Sequence, residues 1–227
     1  EISACLVGSE MCIRDSMRAL SKLFDIGWLS LIYVVFCVPL VTIGAATTSL
    51  YYVSAKVLRK DRGYVWSEFW HSFKLNFKPA TLIWLIFAAI YGLLYFNLTT
   101  FNTSNAAGGY LVGAYIALAF IVTCVASYAF CLLSRFNMNV RGILRYALYM
   151  SFRHFLHTLC FLAILFVAGF GIYAGFRVQL PIFLLFVPGL GSFLYTFPME
   201  HLLKKYMPKP EKRYTENGEE IVEWYKE

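Results

Sequence analysis

The stretch that decides the fold is residues 39–78, which read PLVTIGAATTSLYYVSAKVLRKDRGYVWSEFWHSFKLNFK. It begins inside an apolar run, passes through a basic turn at residues 56–62, and ends on a segment rich in aromatic residues and lysines. Apolar sequence resumes at Ala80. This order predicts helices that meet at a membrane surface and continue into membrane spans.

The second half of the stretch predicts an amphipathic helix. Its aromatic residues recur at the i, i+3, i+4, i+7 and i+11 spacing of one helical face, and polar and charged residues occupy the other face. Such a helix is suited to lie in the plane of a membrane interface. Alternatively, its aromatic face packs against the protein's own loops. We predict that these residues lie at the interface: Trp66, Phe69, Trp70, Phe73, Lys74, Phe77 and Lys78.

The first half of the stretch predicts a turn between two helices. Pro39 and Gly44 interrupt an apolar run that extends from Ile26 to Leu58. A single straight helix over that run would be about 50 Å long, whereas a hydrocarbon core is about 30 Å thick. The interruption therefore predicts a tight helical hairpin, either crossing the membrane twice or re-entrant. The residues assigned to this turn are Pro39, Thr42, Gly44, Thr47 and Thr48.

With PATLIWLIF added at its end, the stretch covers residues 39–87 and resembles the signature region of the YesL-like family of bacterial integral membrane proteins. The resemblance extends over residues 17–207 and is most specific at residues 39–82. It implies a protein of the bacterial cell (plasma) membrane, in a family without an established biochemical activity. Family members tend to be encoded beside carbohydrate-uptake ABC transporters and polysaccharide-degrading enzymes, which implies an accessory role in sugar import.

The composition is that of a membrane protein. Hydrophobic residues make up 59% of the chain and charged residues 15%, whereas soluble domains carry about 25% charged residues. The net charge of +7 comes from cations in short connections between apolar runs. That placement is typical of topology signals and argues against a nucleic-acid partner. The sequence predicts an all-α, polytopic transmembrane helical bundle of five to six apolar helices, with an amphipathic interfacial helix on the cytoplasmic side.

The chain divides into three parts. Residues 1–16 differ in character from the rest and precede Met17, so they are interpreted as a non-native leader, resembling translated sequencing-adaptor sequence. A signal peptide is the competing interpretation, but the apolar core of this segment is too short. Residues 17–207 are predicted to form a single membrane domain, and residues 208–227 a polar cytoplasmic tail.

The distribution of basic residues predicts the topology. Connections 56–79 and 134–155 are basic and are expected in the cytoplasm, whereas connections 99–109 and 177–179 are expected outside. The carboxyl terminus then lies in the cytoplasm. The amino terminus is cytoplasmic if the first hairpin crosses twice, giving six spans, and external if there are five.

The apolar runs lack the residues that membrane chemistry requires. No Asp, Glu, Lys, Arg or His occurs between Lys78 and Arg135, or between Val178 and Met199. Ionisable groups within a membrane cost roughly 2.5–3.5 kcal/mol each and are usually kept for function. We therefore expect no enzyme, no catalytic residues, no cofactor and no metal site, and a proton-coupled carrier is disfavoured.

Two short motifs have structural interpretations. Gly171 and Gly175 have small-xxx-small spacing, which predicts a face where two helices pack closely. His154 and His157 lie three residues apart at the start of an apolar run. No acidic residue or third histidine is near them in sequence, so an interface-lining role is favoured over metal binding.

Two functions remain open on the sequence. The first is an accessory or regulatory component linked to carbohydrate (ABC-type) uptake, whose partners are the lipid bilayer and subunits of a sugar importer. The importer's own permease role is disfavoured, because neither basic connection carries the EAA–Gly pattern through which permeases couple to their ATPase. The second is an autonomous channel or facilitator that handles a small neutral solute with its Tyr and Thr side chains.

Overall fold

The computed structural model describes residues 2–100, 106–136, 138–178 and 181–206. Every regular element within these ranges is helical, which confirms the all-α fold. A 3-10 turn at Leu40–Thr42 precedes α2, and a π-helical turn at Ser54–Leu58 follows it. The α-helices in the described ranges are α1 (Ile2–Cys37), α2 (Ile43–Val53), α3 (Val65–Thr100), α4 (Ala106–Arg135), α5 (Val140–Arg153), α6 (Phe155–Val178) and α7 (Pro181–Tyr206).

Four helical segments in the described part of the chain are long and apolar enough to cross a membrane. These four segments support the prediction of a membrane protein, and the predicted count of five to six spans stays a prediction. The second arm of the hairpin, α2, has only 11 residues, fewer than the roughly 20 that a membrane-spanning helix needs. The four segments are Leu20–Cys37, Val65–Thr100, Tyr110–Arg135 and Phe155–Gly175.

Helix α2 lies at the centre of the bundle and is buried along most of its length. Its small residues let α3 approach closely: a Cβ atom added at Gly44 would lie 2.6 Å from the carbonyl oxygen of Ala80 and 2.7 Å from Cβ of Trp84. Helices α1, α4 and α7 also contact α2. The stretch that begins at Pro39 therefore forms the middle of the fold.

The hydroxyl of Thr42 holds the turn before α2 by donating to backbone carbonyls. This hydroxyl lies 2.5 Å from the carbonyl oxygen of Phe36 and 2.6 Å from that of Pro39. Thr47 and Thr48 donate to backbone carbonyls one helical turn earlier, at 2.7 and 3.0 Å. Because these hydroxyls have partners within their own helix, they can be buried without a large desolvation penalty.

Helix α3 occupies most of the connection predicted at residues 56–79. The aromatic segment 66–77 and the apolar run from Ala80 form one helix of 36 residues, with Pro79 inside it. The prediction failed because proline commonly ends helices by removing an N–H donor, but its effect can be tolerated in a packed helix. At about 1.5 Å per residue, α3 is longer than a hydrocarbon core of about 30 Å. Part of α3 must therefore lie outside that core.

Helix α1 is also longer than predicted. The apolar run begins at Ile26, but the helix begins at Ile2 and includes most of the segment interpreted as a leader. The predicted tail 208–227 lies outside the described residues, as do residues 101–105 of the predicted external connection.

Candidate functional site

A cavity of about 420 Å³ lies among α1, α2, α4, α6 and α7. Aliphatic and aromatic side chains form most of its wall, and none of the described residues that line it is Asp, Glu, Lys, Arg or His. Its volume is within the range of about 300–1,000 Å³ that is common for small-molecule sites. The cavity also has several hydroxyl groups, on Tyr33, Thr47, Tyr51, Thr123, Ser127, Ser192 and Tyr195.

The Ser and Thr hydroxyls of the cavity wall are engaged by the protein itself. Thr47, Thr123 and Ser127 donate to backbone carbonyls of their own helices at 2.7, 2.8 and 2.7 Å. The hydroxyl oxygen of Ser192 lies 2.8 Å from that of Ser54, on the π-helical turn. These side chains therefore do not require a polar ligand to satisfy their donors.

A buried ion pair lies directly behind the cavity wall. Arg135, the last residue of α4, donates through Nη2 to Oε1 of Glu200 on α7. The exposed fractions of these two side chains are 0% and 5%. The hydroxyl of Tyr51, which lines the cavity, donates to the same carboxylate oxygen at 3.1 Å. Tyr51, Arg135 and Glu200 thus link α2, α4 and α7. The sequence analysis did not anticipate this buried ion pair.

A layer of aromatic rings extends from Tyr51 to the neighbouring helices. The ring of Tyr195 meets Tyr51 edge-on at 6.1 Å between centroids and Phe161 at 4.4 Å. Phe161 in turn contacts Tyr128 at 5.1 Å. The hydroxyl of Tyr195 donates to the carbonyl oxygen of Ser127 at 3.0 Å. This layer of rings therefore joins α2, α4, α6 and α7.

A second polar group surrounds the π-helical turn. Nζ of Lys56 lies 2.6 Å from Oε2 of Glu68, and the two side chains are mostly buried, at 17% and 18% exposed. Burial disfavours the charged form of Lys56, but its hydrogen bonds with Glu68 and Tyr52 outweigh this effect, so the pKa of Lys56 is raised. Arg59 donates to the carbonyl oxygen of Thr196 at 2.9 Å. Lys56 and Arg59, which the sequence assigned to a basic connection, thus connect the turn to α3 and α7. Turns of this π-helical type are frequent at functional sites.

The predicted aromatic stripe is divided between the core and the surface. Phe69 and Phe73 are buried and lie 5.3 and 5.0 Å from the ring of Phe36 on α1. Trp66 and Trp70 are 52% and 38% exposed, with their rings stacked on each other. Protein contacts, rather than lipid contacts, therefore account for the burial of the two phenylalanines.

The rest of the stripe lies at the surface. Phe77 is 37% exposed, and Lys74 and Lys78 are exposed. Nζ of Lys74 lies 4.8 Å from the centre of the Trp70 ring, which is a cation–π distance. Contact of these residues and of Trp66 with a membrane interface stays a prediction.

This division predicts unequal effects of two aromatic substitutions. Phe69→Ala should lower the free energy of unfolding by about 3–5 kcal/mol, because it leaves a cavity against α1. Trp66→Ala, the matched control on the exposed side, should lower it by less than about 1 kcal/mol. Denaturant unfolding of the purified protein in detergent micelles measures both. Equal losses for the two variants would contradict this assignment of core and surface.

Helix α5 has an amphipathic pattern that the sequence interpretation did not assign. Ile143, Ala147, Met150 and Ser151 face the protein and are buried. Their i, i+4, i+7 and i+8 spacing was the available signal. The opposite side of α5 exposes a basic and aromatic surface that consists of Arg141, Arg145, Tyr146, Tyr149, Phe152 and Arg153.

Three histidines lie near the start of α6: His154 just before this helix, His157 on it and His201 on α7. His154 Nε2 lies 2.7 Å from the hydroxyl of Tyr206, and His157 stacks on His201 at 6.4 Å between ring centroids. Burial, followed by the nearby charge of His157 and of basic residues, lowers the pKa of His154. Among the described residues, no group of three or more His, Cys, Asp or Glu side chains is placed to hold a metal ion.

The two glycines predicted for helix packing lie on α6. A Cβ atom added at Gly171 would lie 3.3 Å from Cγ2 of Val187, so α6 passes close to α7 at this position. Gly175 is buried. These positions agree with close helix contact, which small residues permit in membrane bundles.

The apolar helices and their internal polar contacts define the class of an all-helical membrane protein. Residues 26–98 match the family DUF624, which is described as a protein of unknown function. The match is consistent with the resemblance to YesL-like membrane proteins. It includes Tyr51, Lys56 and Glu68 but ends before Arg135 and Glu200. No curated protein and no solved structure matches the chain.

Proposed function

We propose that this chain is a non-enzymatic accessory or regulatory component of carbohydrate uptake in a bacterial plasma membrane, acting with subunits of an ABC-type importer. The resemblance of residues 39–87 to YesL-like proteins supports the link to carbohydrate uptake. The match of residues 26–98 to DUF624 is consistent with that family.

The buried group of Arg135, Glu200 and Tyr51 is the observation that favours an accessory role. It connects α2, α4 and α7 beside the cavity. Transporters with alternating access move one group of helices against another around a central site. Such movement between these helices would separate a buried ion pair, and leaving one charge buried without its partner costs about 3–5 kcal/mol. An accessory subunit needs no movement of this kind.

The cavity is the observation that favours the second candidate, an autonomous channel or facilitator for a small neutral solute. Its hydroxyl groups are of the type that binds neutral polar molecules. However, Thr47, Thr123 and Ser127 already donate to the protein's own backbone. The remaining wall is apolar, which is unfavourable for a carbohydrate because its hydroxyls would lose their hydrogen bonds to water. We therefore favour the accessory role.

The surface of α5 supports the proposed orientation in the membrane. Its exposed arginines Arg141, Arg145 and Arg153 are accompanied by exposed aromatic residues. Arginine-rich connections are typical of the cytoplasmic side, and such surfaces bind anionic headgroups. We infer a multi-pass plasma-membrane protein whose α4–α5 connection and carboxyl terminus are cytoplasmic.

Affinity purification and flux measurements together test the proposed function. The full chain, carrying an affinity tag, is purified in mild detergent from its native bacterium grown on a polysaccharide, beside an unrelated multi-span protein with the same tag. We expect selective enrichment of the permease and ATPase subunits of a carbohydrate importer. We also expect that liposomes containing only the purified chain take up no labelled sugar. Sugar flux without partners, with no importer subunit enriched, would contradict the accessory role and support a facilitator.

A further inference from the structure

The cavity is partly open along α6. Helices α4 and α6 touch where Tyr128 packs on Phe161 and its hydroxyl lies 3.1 Å from that of Thr158. Both helices also contribute residues to the cavity wall. Leu165 and Gly169 of α6 line the cavity and are also exposed, Leu165 by 43%. Both helices contain candidate membrane spans, so this opening faces the hydrocarbon of the bilayer.

The chemistry of the wall excludes most occupants other than hydrocarbon. No charged residue lines the cavity in the described part of the chain, and its Ser and Thr hydroxyls are bonded within the protein. A buried water needs two to four polar partners. Leaving the space empty would forfeit dispersion contacts along the whole wall. The volume of about 420 Å³ exceeds the roughly 150 Å³ of an apolar cavity that accepts benzene.

From these observations we propose that the cavity is a binding site for one hydrocarbon chain, which enters from the bilayer between α4 and α6. A membrane phospholipid and a free fatty acid share this chemistry. The bound chain packs against the aromatic wall of Tyr51, Tyr195 and Phe130, and its polar head stays outside the cavity. The site selects its ligand by apolar length and not by hydrogen bonding.

Two glycines provide a matched pair of variants. A Cβ atom added at Gly169 would have no neighbouring atom within 4 Å, so Gly169→Leu places an apolar side chain in the open space beside the cavity. Gly113 on α4 is equally unobstructed but does not line the cavity. Gly113→Leu therefore repeats the same change elsewhere on the surface. Ala126→Leu fills the cavity from the opposite wall and serves as a second test.

The experiment uses the full chain in nanodiscs of phosphatidylethanolamine and phosphatidylglycerol. One set contains a phospholipid with a photoreactive diazirine near the end of one acyl chain, and the other a fatty acid with the same group. After illumination, mass spectrometry locates the labelled residues. Labelling of cavity residues on α4 and α7 is compared with labelling of the exposed residues Phe166 and Phe170 on α6.

We expect at least one probe to label the cavity residues, and the probe that does so identifies the source of the chain. Gly169→Leu and Ala126→Leu should each reduce this labelling by about tenfold, equivalent to a loss of about 1.4 kcal/mol of binding. Gly113→Leu should leave it unchanged, and all variants should keep the labelling of Phe166 and Phe170. Absence of cavity labelling with both probes, or an equal reduction in the Gly113 and Gly169 variants, would overturn the proposal.

Discussion

Glu200→Leu is expected to lower the free energy of unfolding by about 3–5 kcal/mol, because it removes the carboxylate that pairs with the buried guanidinium of Arg135. Glu200→Gln should cost less, since its amide oxygen can still accept the hydrogen bond from Tyr51. Tyr51→Phe, which removes that donor alone, should cost about 0.5–1.5 kcal/mol. Denaturant unfolding in detergent micelles, followed by intrinsic fluorescence, gives the three values on one scale.

The double variant Arg135→Met with Glu200→Leu distinguishes loss of the pair from loss of one partner. Replacing a whole buried ion pair by apolar residues is often neutral or stabilising. The double variant should therefore be more stable than either Glu200→Leu or Arg135→Met alone. If its loss equals the sum of the single losses, the two side chains are energetically independent and the buried pair does not organise this region.

Gly44→Leu is expected to prevent normal packing of α2 on α3. Even the Cβ atom would lie 2.6 Å from a backbone oxygen of Ala80 and 2.7 Å from Cβ of Trp84, and neither atom can move by a simple side-chain rotation. Overpacking of this kind costs about 1–3 kcal/mol, occasionally more, so Gly44→Ala should already destabilise the protein by that amount. Gly44→Leu should abolish the folded, monodisperse species in size-exclusion chromatography.

Gly113→Ala is the control for the Gly44 variants. A Cβ atom at this position of α4 has no neighbour within 4 Å. Because alanine is the better helix former, stability should be unchanged or raised by up to about 1 kcal/mol. If Gly44→Ala were as stable as Gly113→Ala, the close approach of α2 and α3 would be refuted.

The class of the fold and its central break could be predicted from local sequence. Long apolar runs with few charges indicate helices in a membrane, and a proline beside small residues indicates a turn. The structure has that turn between Cys37 and Ile43. The end of the predicted connection at residue 79 was wrong, because a proline signal alone does not reveal whether packing lets a helix continue.

Contacts between distant residues could not be predicted in this way. Phe36 covers Phe69 and Phe73, but the helical spacing of a stripe is the same whether it meets lipid or another helix. Arg135 and Glu200 each lie at the end of an apolar run, where a charge usually reaches the membrane surface. Only the arrangement of α4 against α7 shows that they form a buried pair.

The central claim, that this is a multi-span membrane protein with a cytoplasmic α4–α5 connection, is tested most directly by cysteine accessibility. Thr100→Cys and Asn139→Cys, at exposed positions at the end of α3 and before α5, are introduced singly into a chain whose native cysteines are replaced by serine. With a membrane-impermeant maleimide on intact protoplasts, the variant at 100 should be labelled, and the variant at 139 only after permeabilisation. Labelling at 139 in intact protoplasts, with none at 100, would contradict the account.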